Sequence, residues 1–123
     1  MQEPPRLLVV EDDGLIRLDL VDMVSDLGCL AYEASTADQA VTLLERQHSI
    51  SAILTDIDMP GSINGLGLAN VAHRRWPHIK VVVISGRYNP AEGILPPGAI
   101  FITKPVSQHS VEKALSAIGV LSL

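Results

Sequence analysis

Six side chains in this sequence are placed where they could act together: Glu11, Asp12, Asp56, Asp58, Ser85 and Lys104. Asp56 ends the β-prone run that starts at Ala52, and a loop holding Pro60, Gly61, Asn64 and Gly65 follows at once. Such an apolar run reads as a buried strand that the Pro/Gly cluster stops. Glu11 and Asp12 follow the run Arg6-Leu-Leu-Val-Val10 in the same way. Ser85 follows a β-branched run, and Lys104 follows another and immediately precedes Pro105. In an open parallel sheet, ligands bind outside the carboxyl ends of the strands. Carboxylates gathered there repel one another, and partial burial adds to the cost. Either their pKa values rise or a cation binds. An oxygen-rich, largely aqueous site suits Mg²⁺, which takes one or two carboxylates plus water and a phosphate oxygen. A lysine at the same rim can reach a phosphate as a point charge. Each group also has a plainer reading: a solvated acidic rim, a hydroxyl that satisfies a turn, an ordinary surface cation. The combination on the ends of strands one, three, four and five is what speaks for a site.

The elements that would position these groups alternate in type. Residues 6–10 read as a buried strand. Ile16, Leu20, Met23, Val24 and Leu27 then recur at helical spacing over 14–27, with Arg17, Asp19, Asp22 and Asp26 free to face water. Gly28 is a helix stop, and Asp13 is a helix-start acid. Residues 29–33 form a second strand. Thr36 and Gln39 have capping-box spacing before a helix through Ala40, Val41 and Leu44. Residues 51–55 give the third strand, and a helix runs from Gly65 to Arg75, ended by Trp76-Pro77. Residues 79–84 give the fourth strand and 99–103 the fifth. Ser107 caps a last helix whose apolar face is Val111, Ala114, Leu115 and Ile118. Between strands four and five, Pro90, Gly93, Pro96, Pro97 and Gly98 leave room for a helix of about two turns at most. Five strands alternating with helices predict an α/β fold: a doubly wound five-stranded parallel sheet, with helices on both faces. In the strand order 2-1-3-4-5, strands one and three are neighbours at the switch point, which puts Glu11 and Asp12 beside Asp56.

Composition excludes several classes. The chain has 123 residues, 47% of them apolar, enough for one domain over residues 1–123 with a short tail at 1–5. One Phe, one Trp and two Tyr mean that the core is aliphatic. A net charge of −5 argues against direct nucleic-acid binding, which needs a basic footprint. Cys29 is the only cysteine, so no disulfide framework is possible, and the four histidines lack metal-ligand spacing. Cys29 and Met23 read as packing residues, and Arg74-Arg75 as a solvated helix end. No stretch approaches the ~20 apolar residues of a membrane span, and no signal run opens the chain. The expectation is a cytoplasmic protein without membrane contact.

Val9-Val10-Glu11-Asp12-Asp13, Thr55-Asp56-Ile57-Asp58-Met59-Pro60, Ser85-Gly86 and Lys104-Pro105 resemble the receiver domain of two-component response regulators over nearly the whole chain. The resemblance implies a flavodoxin-like (βα)5 fold, here with a short or irregular fourth helix. It implies Asp56 as phosphoacceptor, with a histidine kinase or histidine phosphotransfer protein as donor. It implies Glu11 and Asp12 as the acidic pair for Mg²⁺, Asp12 the more direct ligand, and Asp58 contributing only its backbone carbonyl. Ser85 takes the hydroxyl position, Lys104 the phosphate-binding position and Phe101 the aromatic switch. The Lys104-Pro105 bond is expected to be cis. The loop after Pro60 is about one residue longer than the usual family form. The segment between Ser85 and Phe101 is shorter and richer in proline, and Val106 stands where an aromatic often follows.

The functional expectation is therefore a phosphoacceptor that controls an unidentified downstream protein or serves as a phosphoryl shuttle or sink. It would catalyse only its own phosphorylation and dephosphorylation. A stand-alone domain and one excised from a larger regulator fit the sequence equally. Two alternatives come from other classes. Asp56-x-Asp58 after an apolar strand resembles the first motif of haloacid-dehalogenase-type phosphatases, although Glu112 is the only acid after Lys104. A flavodoxin-like scaffold that binds proteins without phosphorylation is the other.

Overall fold

The computed structural model describes residues 3–86 and 94–121. Strands β1 (Arg6–Val10), β2 (Leu30–Ala34), β3 (Ala52–Asp56), β4 (Lys80–Ser85) and β5 (Ile100–Thr103) pair in parallel in the order β2-β1-β3-β4-β5. Helices α1 (Gly14–Asp26), α2 (Ala37–Arg46), α3 (Gly65–Arg75) and α4 (Gln108–Ala117) complete the described elements. The short helix expected between Gly86 and Gly98 falls on 87–93, which lie outside the described residues.

Strand residues alternate between two apolar layers, as period-2 side-chain direction requires. Leu8, Val10, Ile53, Val81 and Val83 pack with α2 and α3 through Ala40, Leu44, Leu68 and Ala72. Leu7, Val9, Leu54, Val82 and Ile84 pack with α1 and α4 through Leu20, Val24, Val111 and Leu115. Both faces of β1, β3 and β4 are thus covered, which is why these strands read as unbroken apolar runs. Each fully buried Leu or Ile side chain stabilises the fold by roughly 1.5–3 kcal/mol relative to exposure.

Helix ends follow local chemistry. Asp13 caps α1, its carboxylate accepting from the Leu15 and Ile16 N–H groups at 2.9 and 3.1 Å. Gly28 stops that helix with φ +90°, a conformation that costs glycine least. Ser107 and Ser110 form a full capping box at α4. At α2 only half of the expected box exists. Thr36 accepts from the Gln39 N–H, but the Gln39 Oε1 accepts from the N–H and hydroxyl of Ser35, one residue earlier than anticipated.

Four strands, β2 to β5, begin one residue later than the sequence suggested, and before β2, β4 and β5 a turn still holds the preceding residue. The Cys29 N–H donates to Val24 O, so Cys29 closes the end of α1. The Ile79 N–H donates to Trp76 O, and the Ala99 N–H to Pro96 O. β3 begins one residue after the expected start and runs through Asp56 rather than stopping at Thr55. The next N–H, of Ile57, donates to Ile84 O, and this bond carries the β4 pairing past the acid.

Candidate functional site

β1 and β3 are adjacent and in register, Val10 opposite Thr55. The residues just past that pair therefore share one rim. Ligand atoms of the Glu11, Asp12 and Asp56 carboxylates lie within 4.8 Å of one another. Glu11 and Asp56 are buried, at 2% and 4% exposure, whereas Asp12 is exposed. Lys104 follows β5 and reaches back across the rim, its Nζ 3.3 Å from Asp56 Oδ2. The other Asp56 oxygen accepts the Asp58 N–H at 3.3 Å. Strand order alone thus brings two acids from β1, one from β3 and a lysine from β5 to one point.

The remaining sequence-selected residues lie around this point. Asp58 is exposed, in the loop after β3. Ser85 is fully buried at the end of β4, one residue past Ile84, the register partner of Asp56. Its carbonyl accepts the Lys104 N–H at 2.9 Å, tying the lysine's backbone to β4. Phe101 is half-buried on β5, opposite Val83, and packs with the α2/α3 layer rather than joining the acids. The Lys104-Pro105 bond is cis.

Glu11 is held tightly. Its N–H donates to Ala34 O at 3.1 Å, and its Oε2 accepts the Asp13 N–H at 3.0 Å. Its other carboxylate oxygen, Oε1, is buried without a hydrogen-bond partner. An oxygen in that state is costly unless something neutralises it. Burial pushes the Glu11 carboxyl up to about 7, against the Asp13 N–H bond that lowers it, and the neighbouring Asp12 and Asp56 carboxyls add to the rise. Hard oxygen donors, negative charge and an orphaned buried acceptor fit a small divalent cation such as Mg²⁺.

Two residues matter here that sequence reading did not single out. Gly65 opens α3 directly against β3: a Cβ at that position would lie 1.9 Å from Asp56 O. Only glycine lets the helix start so close to the strand that carries the acid. Arg17, read as a water-facing helix residue, instead folds over the β1–α1 turn. Its Nη1 donates to Glu11 O at 2.8 Å and its Nε to Glu33 Oε1 at 3.0 Å. Neither contact has a signal in local sequence. Both join elements through the fold.

A groove of about 490 Å³ runs beside the acids, lined by Ile16, Leu20, Met23, Pro105 and Val106 among others. On α1, Leu15 and Leu18 are 78% and 53% exposed.

Comparison with known proteins agrees with this architecture. The model of the response regulator receiver domain family matches residues 7–116. The chain is 30% identical over 106 residues to the transcriptional regulatory protein PdtaR of Mycobacterium tuberculosis, a match covering 85% of this chain and 51% of that protein. The curated relatives it matches are longer; it spans 17% of some of them. A response regulator receiver protein from Sinorhizobium medicae superposes with a TM-score of 0.84 at 27% identity, covering 94% of each chain. The response regulator protein TrrA of Thermotoga maritima, solved in complex with Mg²⁺-BeF, shares the fold with a TM-score of 0.82 at 20% identity, over 93% of this chain and 98% of its own. With the acid-bearing strand order and a family match over almost its whole length, the chain belongs to the response regulator receiver domain family of two-component signalling.

Proposed function

We propose that residues 1–123 act as one phosphoacceptor domain, with Asp56 taking a phosphoryl group from a phosphohistidine of a histidine kinase or histidine phosphotransfer protein. The observation that carries this reading is the buried Asp56 carboxylate with Lys104 Nζ 3.3 Å away and two further carboxylates within 4.8 Å. The Glu11, Asp12 and Asp56 carboxylates, with the Asp58 backbone carbonyl, would hold Mg²⁺. When bound, that ion supplies the positive charge that offsets repulsion between the acids and an incoming phosphoryl anion.

The transfer breaks the phosphorus–nitrogen bond and forms a bond from phosphorus to an Asp56 oxygen. The leaving imidazole nitrogen keeps the bonding electron pair. Such a step needs alignment and charge stabilisation more than a base. Lys104 already pairs with Asp56, so its ammonium can follow the developing charge onto the phosphoryl oxygens. The acyl phosphate then adds about one negative charge to the rim. Ser85 answers it with a hydroxyl hydrogen bond and Phe101 turns inward, a two-state element biased by local charge. The exposed Leu15 and Leu18 of α1 are surface that a protein donor would cover. The output is regulatory, in the cytoplasm: control of a downstream protein, or passage of the phosphoryl group onward.

The test uses a small-molecule donor. Incubated with Mg²⁺ and phosphoramidate, the chain should gain the mass of one phosphoryl group. The gain should vanish without Mg²⁺ and in Asp56→Asn. No gain, or a gain that survives Asp56→Asn, overturns the proposal.

A further inference from the structure

We propose that Arg17 is a positioning residue for the cation site, acting on Asp12 through the main chain. This inference rests on the phosphoacceptor reading above. The peptide bond is planar, so the carbonyl of Glu11 and the N–H of Asp12 turn as one unit. Arg17 Nη1 donates to that carbonyl at 2.8 Å. Fixing the plane fixes the N–Cα bond of Asp12, so that φ and the side-chain torsions alone remain to set where the carboxylate points. Among the described residues, no other side chain donates to that carbonyl. Glu11 is held by its N–H on Ala34 and its Oε2 on the Asp13 N–H, whereas Asp12 is exposed.

The guanidinium is itself held. Its Nε donates to Glu33 Oε1 at 3.0 Å, and Glu33 stands on β2 opposite Val9 of β1. A planar fork that donates in two fixed directions joins helix, loop and neighbouring strand in one geometry. A lysine, with a single rotating ammonium, makes one of these bonds well but not both. Partners that orient metal-binding groups typically carry 10–100-fold in affinity.

Mg²⁺ affinity followed by two-dimensional NMR titration of the whole chain is the decisive experiment, with thermal unfolding run alongside. Arg17→Ala should weaken Mg²⁺ binding about 10-fold, with Arg17→Lys between it and the parent and Glu33→Gln losing about 2-fold. The Asp12 amide resonance of Arg17→Ala should move before any Mg²⁺ is added. Arg17→Gln keeps the aliphatic stem and replaces the alanine variant should that one fail to fold. A variant with lowered Tm and parental Mg²⁺ affinity would show a purely structural role and overturn the proposal. Failure of the parent chain to bind Mg²⁺ would instead overturn the phosphoacceptor reading on which it rests.

Discussion

Two loops frame the acids, and they are held in opposite ways. The β1–α1 loop, Glu11 to Asp13, is short and fastened mainly from within. Glu11 accepts from Asp13, Asp13 caps α1, and Arg17 in the next turn clamps the Glu11 carbonyl. The β3–α3 loop, Ile57 to Asn64, is longer and fastened mainly from outside. Met59 is buried in the α2/α3 layer, Ser62 donates to the Asp38 carboxylate of α2 at 2.9 Å, and Gly65 sits against Asp56. The first loop presents two of the three converging carboxylates, so its rigidity is electrostatic business. The second presents none of them, offering a cation only the Asp58 backbone carbonyl, and packing with a hydrogen bond to Asp38 keeps it in place. Side-chain changes in the two loops should therefore separate: one set alters charge and cation affinity, the other stability.

The largest effect should come from filling the closest approach. Gly65→Ala puts a methyl group into backbone that cannot yield cheaply, and should cost about 3 kcal/mol or more in chemical denaturation. A loss under 1 kcal/mol would mean that α3 does not start against β3 as described. Next comes pH. The Glu11 carboxyl sits at about 7, above its ordinary 4.5. The protonated form is therefore favoured in the fold, and that stability is complete below 4.5 and lost as pH rises through about 7. The loss is on the order of 3 kcal/mol at most. Urea melts without Mg²⁺ should show it, added Mg²⁺ should restore it above pH 7, and Glu11→Gln should flatten it. A parent profile as flat as that of Glu11→Gln would remove electrostatics from the account of this loop.

Smaller changes sharpen the contrast. Asn64 caps α3 by accepting the Gly67 N–H at 3.0 Å, so Asn64→Ala should cost about 1 kcal/mol while leaving Mg²⁺ affinity within error. Loss of affinity in that variant would join the two loops into one unit. Ser62→Ala should cost under about 0.5 kcal/mol, because both partners of its bond to Asp38 are exposed.

What was readable in the sequence follows from the same division. β1, β3 and β4 are covered on both faces, so their apolar runs announced them and fixed where Glu11, Asp12, Asp56 and Ser85 would stand. Helix starts at Asp13, Thr36 and Ser107 were legible because capping is chemistry between near neighbours. β2, β3 and β4 each begin and end one residue later than their apolar runs suggested, since the pattern does not show where the preceding turn ends or how far pairing continues. Arg17 and Gly65 escaped because their partners are Glu33 and Asp56, brought close only by the fold. An arginine on an amphipathic helix carries no mark that tells a clamp from a solvated charge.

The central claim is that the acid on β3, and no other residue, receives phosphorus. Borohydride reduces an acyl phosphate to the alcohol, so the phosphorylated chain can be reduced, digested and mapped by peptide mass. The account predicts homoserine at position 56 alone. Homoserine at position 12 or 58, or phosphate that survives reduction on a histidine or serine, would contradict it.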